Sequence, residues 1–298
     1  MRVNITEKEI QMGSLIDTTS DTKHIKERYS RKIIVYLEGD DDVAFYKNYW
    51  FNNLLSKIDF FPAEEGPSRL SGCNGVYKNV SIDRLAGVNA YGISDRDALI
   101  SRALDLANEA KDAVYLNAIQ KKFPHQHFTL YWELENYLID PKSLEEERAD
   151  ATNLGTTRPL SDVIHELCLH CITTIPHAAY NSFLQSKGQC KIGDGATNPH
   201  PDRHAVQAFV DSRILKPEDT AEYSRHLADV EAFDLPTADD SARLAAIRRR
   251  IHGKAVLFRF RHVHNMGNSE IRFRLARKLS TSPPADVAQK LQHWITTR

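Results

Sequence analysis

The chain has 298 residues, of which 41% are hydrophobic and 27% charged, and 39 Lys or Arg against 40 Asp or Glu leave a formal net charge of −1. That is the profile of a soluble globular protein with room for one large or two smaller domains, and no apolar run reaches the roughly 18 residues that a membrane span needs. The opening MRVNITEKEIQMGSLIDTTS lacks the apolar core of a secretory signal, and four cysteines without a disulfide framework fit a reducing interior, so a cytoplasmic location is expected.

Residues 1–29 read as an N-terminal extension. Lys32 to Leu37 is a short β-branched apolar run of the kind that makes a buried parallel strand. Asp40 to Ser56 follows at helical spacing, with Val43, Phe45, Tyr46, Tyr49, Trp50 and Leu54 as its apolar positions, and its acidic start suits a helix N-terminus. Ile58 to Phe61 is a second strand, and a loop rich in Gly, Ser and Pro leads to a helix over Tyr77 to Leu85. Ala90 to Ser94 is a third strand, a long helix is expected over Leu99 to Ile119, and Phe128 to Trp132 is a fourth strand. Strands separated by helical crossovers predict an α/β fold, a parallel sheet with helices on both faces spanning residues 30–148. Beyond it, 149–298 reads as a mainly α-helical C-terminal domain, broken at Pro217, Pro236, Gly253, Gly267 and Pro283–Pro284. Val256 to Val263 alternates as a strand would, but helix is the preferred reading.

Acids concentrate where strands end. LEGDDD leaves the first strand, SDRD the third and ELENYLID the fourth, which places Glu38, Asp95, Asp97, Glu133 and Glu135 at one rim. In a doubly wound sheet that rim is where ligands bind. Asp95 and Asp97, two apart on an extended segment, are expected to face the same way. A hard divalent cation is the natural counter-charge for such a cluster. Helix capping is the competing account, and it is preferred for Asp40 and Asp41.

LEGDDDVAFY followed by GISDRDA resembles the signature of Toprim domains, a strand ending in Glu-Gly and a later strand ending in Asp-x-Asp. LYWELENYLID and Gly253–Lys254 are similar to features of a bacterial Toprim family that includes the effector nucleases of PARIS anti-phage defence systems. The resemblance is good over Lys32 to Asp140 and loose beyond. It implies a Toprim-type, metal-dependent endonuclease using Mg2+ or Mn2+, with Glu38 as general acid/base or metal ligand and Asp95 and Asp97 holding the ion. Glu135, rather than Glu133, matches the family glutamate, and Asp42 matches the acid four residues after the motif glutamate. It further implies RNA, tRNA in particular, as substrate, a toxic antiviral effector role in abortive infection, a separate ABC-type ATPase as controlling partner, and a homodimer as the active form.

Between Arg248 and Lys278 ten Lys or Arg stand against one acid, Glu270. A polyanion would be drawn to that segment, which makes Arg248, Arg249, Arg250, Lys254, Arg259 and Arg261 candidate nucleic-acid contacts. Ordinary ion pairing on a solvated helix face is the alternative. Phe258, Phe260 and Phe273 are read as core in preference to base-stacking platforms.

HELCLHC suggests zinc, with His165, Cys168, Cys171 and Cys190 as ligands, but His165 and His170 are five apart and do not share a face as a metalloprotease pair does. His125 and His127 are placed in a loop. No phosphate-binding loop GxxxxGK[ST] is present, so ATP hydrolysis belongs to a partner. Two rival functions remain: a haloacid-dehalogenase-like phosphatase with Asp95 as nucleophile, disfavoured by Ala98 and by the lack of a role for LEGDDD, and a non-catalytic subunit that binds nucleic acid or a partner.

Overall fold

The computed structural model describes residues 32–152, 155–214, 216–267 and 270–297, so the expected N-terminal extension lies outside the described residues. Four strands form the sheet: β1 (Ile33–Leu37), β2 (Ile58–Pro62), β3 (Ala90–Ser94) and β4 (Gln126–Phe128). They are ordered β2-β1-β3-β4 and every pairing is parallel. All four C-terminal ends therefore lie at one rim.

The sheet is covered on both faces, as the alternation along β1 requires. Ile33, Val35 and Leu37 join one apolar cluster, while Ile34 and Tyr36 join another with Val76 and Val80 of the helix Gly72–Leu85. That helix sits so close to β3 that a Cβ on Gly92 would come within 2.5 Å of Val76 Cγ1, which is why a glycine stands there. The larger cluster continues from Ile33 through Val163, Val256 and Leu275 to Trp294. The expected boundary at 148/149 falls inside the helix Pro141–Ala151, and the C-terminal helices complete the core of the sheet. Gly253–Val263 is helical, as preferred. No helix among the described residues is long and apolar enough to cross a membrane.

Three elements differ from expectation, each for a local reason. The helix predicted from Asp40 to Ser56 is α-helical only over Asp40–Phe45, widens to a π-helix over Tyr46–Trp50, and ends in a 3-10 turn at Asn52–Leu54. The long helix predicted over Leu99 to Ile119 is two helices, Leu104–Ala107 and Asp112–Lys122. Arg96, fully buried, donates to the carbonyls of Ala107 at 3.2 Å, Leu106 at 3.4 Å and Glu109, taking acceptors that a continuous helix would use. β4 is Gln126–Phe128, not Phe128 to Trp132. Past it, the Tyr115 hydroxyl donates to the Phe128 and Thr129 carbonyls, and Leu130 N–H donates to Asp286 Oδ2 at 3.0 Å. Side chains thus satisfy backbone groups that a longer strand would have paired.

Candidate active site

Glu38 and Asp95 leave the tips of two neighbouring strands. Asp95 N–H donates to Glu38 Oε1 at 3.1 Å, tying β3 to the Glu-Gly turn after β1. Asp42 comes from the first turn of the helix Asp40–Phe45, where Gly39, in extended conformation, occupies the N-cap position. Glu38, Asp42 and Asp95 line one cavity of about 10 Å3 together with Ser94, Thr129 and Tyr46. That is the scale of a single water or small ion.

These carboxyls are far from ordinary. Burial, then the charges of Asp97 and Asp42, push Glu38 up to about 8. Burial pushes Asp42 up to about 6 in spite of Lys254 and Arg272. Asp95 is raised well above the usual range by burial and by Glu38, Asp42, Asp97 and Glu135 in that order. Burial carries Glu135 up to about 7. Nearby cations are too few to offset the negative charge gathered here.

Asp97 and Glu135 stand at the border of this cluster, each held by a cation. Asp97 is not on the extended segment expected. It lies in the 3-10 turn Arg96–Leu99 and accepts from Lys191 Nζ at 2.6 Å. Glu135 lies in the 3-10 turn Leu134–Leu138, with Arg272 Nη2 at 2.5 Å and Lys254 Nζ at 3.7 Å from Oε1. That oxygen is buried and the close approach of Arg272 lacks hydrogen-bond alignment, so the contact is an ion pair only. Arg272 also reaches Asp41 Oδ2 at 3.1 Å. Asp40 and Asp41 sit in the first turn of their helix as the capping account expects, although neither side chain caps it by a hydrogen bond.

The ELENYLID motif works residue by residue. Asn136 donates to the carbonyls of Arg248 at 2.8 Å and Ile251 at 3.1 Å, latching the segment before Gly253. A Cβ on Gly253 would lie 2.6 Å from Asn136 N and Oδ1, so only glycine lets that helix start so close. Glu133 accepts from Lys254 N–H at 3.3 Å and pairs with His252 Nδ1 at 2.7 Å. Burial alone would raise the Glu133 carboxyl, but the charge and hydrogen bond of His252 hold it well below the usual range. Tyr137 donates to Asp286 at 2.9 Å, and Leu138 is buried in the core. The latch delivers Lys254 to Glu135.

Among the described residues, one trio of potential ligands has its donor atoms within 4.8 Å of one another: Glu133, Asp194 and His252. Glu38, Asp42, Asp95, Asp97 and Glu135 form no such group, and the outer two pair with Lys191 and Arg272. Both Glu133 oxygens already serve the latch. Sequence reasoning missed Lys191, Asp194, His252 and Arg272. His252 adjoins the quoted Gly253–Lys254, but no spacing rule points to the others.

The basic segment requires correction. Arg250 is fully buried, bonded to Asn108 Oδ1 at 3.0 Å and Ser182 Oγ at 2.9 Å, with its guanidinium 3.9 Å from the Trp132 ring centroid. Arg259 is buried on the carbonyls of Thr197, His200 and Pro201. Arg249 grips Asp112 with two hydrogen bonds, and Arg248 donates to the Asn136 carbonyl and lies 4.5 Å from the Tyr131 ring centroid. Arg250 and Arg259 therefore brace the interior and are not open to a phosphate, while Arg248 and Arg249 are half-buried and already partnered. Lys254 and Arg261 remain at the border of surface cavities.

Of the remaining signals, Cys168 and Cys171 are buried, Cys190 is exposed and His165 pairs with Asp240, so HELCLHC gathers no metal-ligand group among the described residues. His127 is in β4, not in a loop, and its ring is 3.0 Å from Asp286 Oδ2.

No protein-family model, curated protein or solved structure significantly matches this chain.

Proposed function

We propose that the chain is a metal-dependent nuclease of Toprim type that hydrolyses phosphodiesters at the Glu38–Asp95 rim. The observation that carries this reading is the cavity lined by Glu38, Asp42 and Asp95, whose carboxyls gather from separate elements with too little positive charge to balance them. Structural charges are normally paired, so carboxylates crowded together at the ligand-binding rim of a parallel sheet suit a cation and a phosphate.

The donor set suits a hard cation in its chemistry, and its oxygens would have to draw together around one. All donors are carboxylate oxygens, and Glu135 contributes one that is buried without a hydrogen bond. Glu38, Asp42, Asp95 and Glu135 would hold Mg2+ or Mn2+, with Asp97 at their border. When bound, the ion supplies charge neutralisation at the phosphoryl oxygens and makes water a better nucleophile. Glu38, pushed up to about 8 when no cation is bound, would serve as the general acid/base only where it does not itself ligate the ion. Lys254 and Arg272, beside Glu135, are positioned to take phosphate charge.

The resemblance extends this reading to a toxic antiviral effector that cuts RNA such as tRNA, held in check by a separate ABC-type ATPase and active as a homodimer. The phosphatase alternative fits less well, because Ala98 stands after Asp97 where that family has Thr or Val, and Glu38 would have no role. The test is incubation of the purified protein with total RNA and with plasmid DNA, with and without Mg2+, wild type beside Glu38→Gln. Mg2+-dependent cleavage by wild type alone is expected. Cleavage that survives the substitution, or none in any condition, overturns the reading.

A further inference from the structure

Two cavities on the C-terminal helices share a ridge formed by Phe258 and Arg261. The first, of about 250 Å3, is mostly apolar and is walled by Leu257, Phe258, Ile271 and Phe273, with Lys254 and Arg272 among its lining. The second, of about 350 Å3, is polar and adds Asn198, His262 and Asn265. Phe258 is 38% exposed on a helix whose neighbours Val256, Leu257 and Phe260 are all buried. It is an aromatic ring that the core does not use. Phe273 is held in place by stacking on Phe45, with centroids 4.9 Å apart and planes at 12°.

The position of the apolar cavity matters more than its size. Lys254 and Arg272 line it and also contact Glu135, so one end of it adjoins the acidic centre. At about 250 Å3 it falls below the roughly 300–1,000 Å3 of pockets for drug-sized ligands, a volume suited to a single ring system. An apolar slot with aromatic walls, lined by Lys254, Arg261 and Arg272 and by one acid, Glu270, suits the flat apolar face of a base whose phosphate lies outside it. Lys254 and Arg272 already pair with Glu135, so it is the aromatic walls beside the acidic centre, and not free positive charge, that favour a base.

We infer that this cavity receives one unstacked base of the substrate, next to the phosphate held at the acidic centre, and that the Phe258–Arg261 ridge leads the continuing single strand into the polar cavity. The inference rests on the nuclease reading for the meaning of "next to", but not for the binding itself. It names single-stranded nucleic acid as the ligand class and Phe258 as a positioning residue. Stacking on an aromatic face tolerates any base, so the site would select unpaired strands and not sequences.

The test separates the two claims. Binding of a short single-stranded RNA, and of the same strand made of abasic nucleotides, is measured by fluorescence anisotropy without divalent ions, with a DNA strand as a further arm. Phe258→Ala is expected to weaken binding of the ordinary RNA about 5- to 100-fold, the range of a lost base stack, and to leave the abasic strand unchanged. Phe258→Tyr should restore it. Because Phe258 is surface-exposed, its melting temperature should stay put, which excludes unfolding as the cause. If wild type binds RNA through Phe258 yet never cuts it, the base pocket stands and the nuclease reading falls. If cleavage occurs and Phe258→Ala matters equally little for both strands, the pocket falls alone. Absence of RNA binding, or a change of oligomeric state in Phe258→Ala with RNA affinity intact, overturns the inference and assigns the cavity to a protein contact.

Discussion

Around Glu38, carboxyls from separate elements are gathered at one cavity with their protonation pushed upward, whereas between Arg248 and Lys278 the cations are taken up one by one by acids and carbonyls from elsewhere. Arg249 holds Asp112, Arg274 holds Glu147 at 2.6 Å, and Lys278 reaches Glu146 at 3.2 Å. Both regions are dense in charge, but only the acidic one is left out of balance. Charge density in a sequence therefore says little about function until partners are known. The informative quantity is the charge that the fold declines to neutralise.

The largest effect should come from removing charge at the unbalanced region. Glu38→Gln and Asp95→Asn are each expected to slow Mg2+-dependent RNA cleavage by about 10³-fold or more, as loss of charge stabilisation does, while RNA affinity persists. Gel-based cleavage rates check this, and near-normal cleavage in either variant would sink the contrast. On the balanced side, Arg250→Ala should leave the chemistry aside and strike the fold. Losing its bonds to Asn108 and Ser182 and its packing on Trp132 should destabilise by about 3–5 kcal/mol, read as a lower urea midpoint. A midpoint unchanged from wild type would mean that the arginine is not structural.

Gly253→Ala tests the joint between the two regions. The new Cβ would collide with Asn136, shift Lys254 away from Glu135, cost about 1–3 kcal/mol of stability and reduce cleavage about tenfold or more. Loss of stability with full activity would show that Lys254 does not serve the site.

The smallest effect is on pH. Glu38 and Glu135 titrate near 8 and 7 when folded but close to 4.5 when unfolded, so between those limits the folded chain keeps protons that the unfolded chain has released. Stability should therefore fall as pH rises from about 5 to 8. Glu145 works the other way: burial would raise it, but Arg148 and Arg158 hold it at about 2, so its stabilisation is lost only as pH drops below about 4.5. Because a cation needs the ionised carboxyls, added Mg2+ should raise the melting temperature more at pH 8 than at pH 6. Equal shifts at both values would argue against ion binding at these residues.

Much of the sheet was legible. The β-branched run at Ile33–Leu37 and the short segment Ala90–Ser94 read directly as strands, because a strand buried on both faces needs largely apolar sequence. The elements misjudged were those whose backbone groups are captured by distant side chains: Arg96 ended the helix expected through Leu106, and Asp286 with Tyr115 shortened β4. Glu38, Asp95 and Glu135 could be named because strand ends and motif order point to them. Lys191, Arg272 and His252 could not, since they approach from helices and loops whose place on the rim depends on packing.

The amino-acid sequence by itself determined the parallel sheet and the place of Glu38 and Asp95 at its rim, since the apolar runs of β1 and β3 act locally and fix which residues follow them. Only the tertiary structure decided which charges are paired. Arg250 and Arg259 look like phosphate contacts in the sequence, yet they are interior braces, because their hydrogen bonds reach partners 58 to 142 residues away and no local pattern records them.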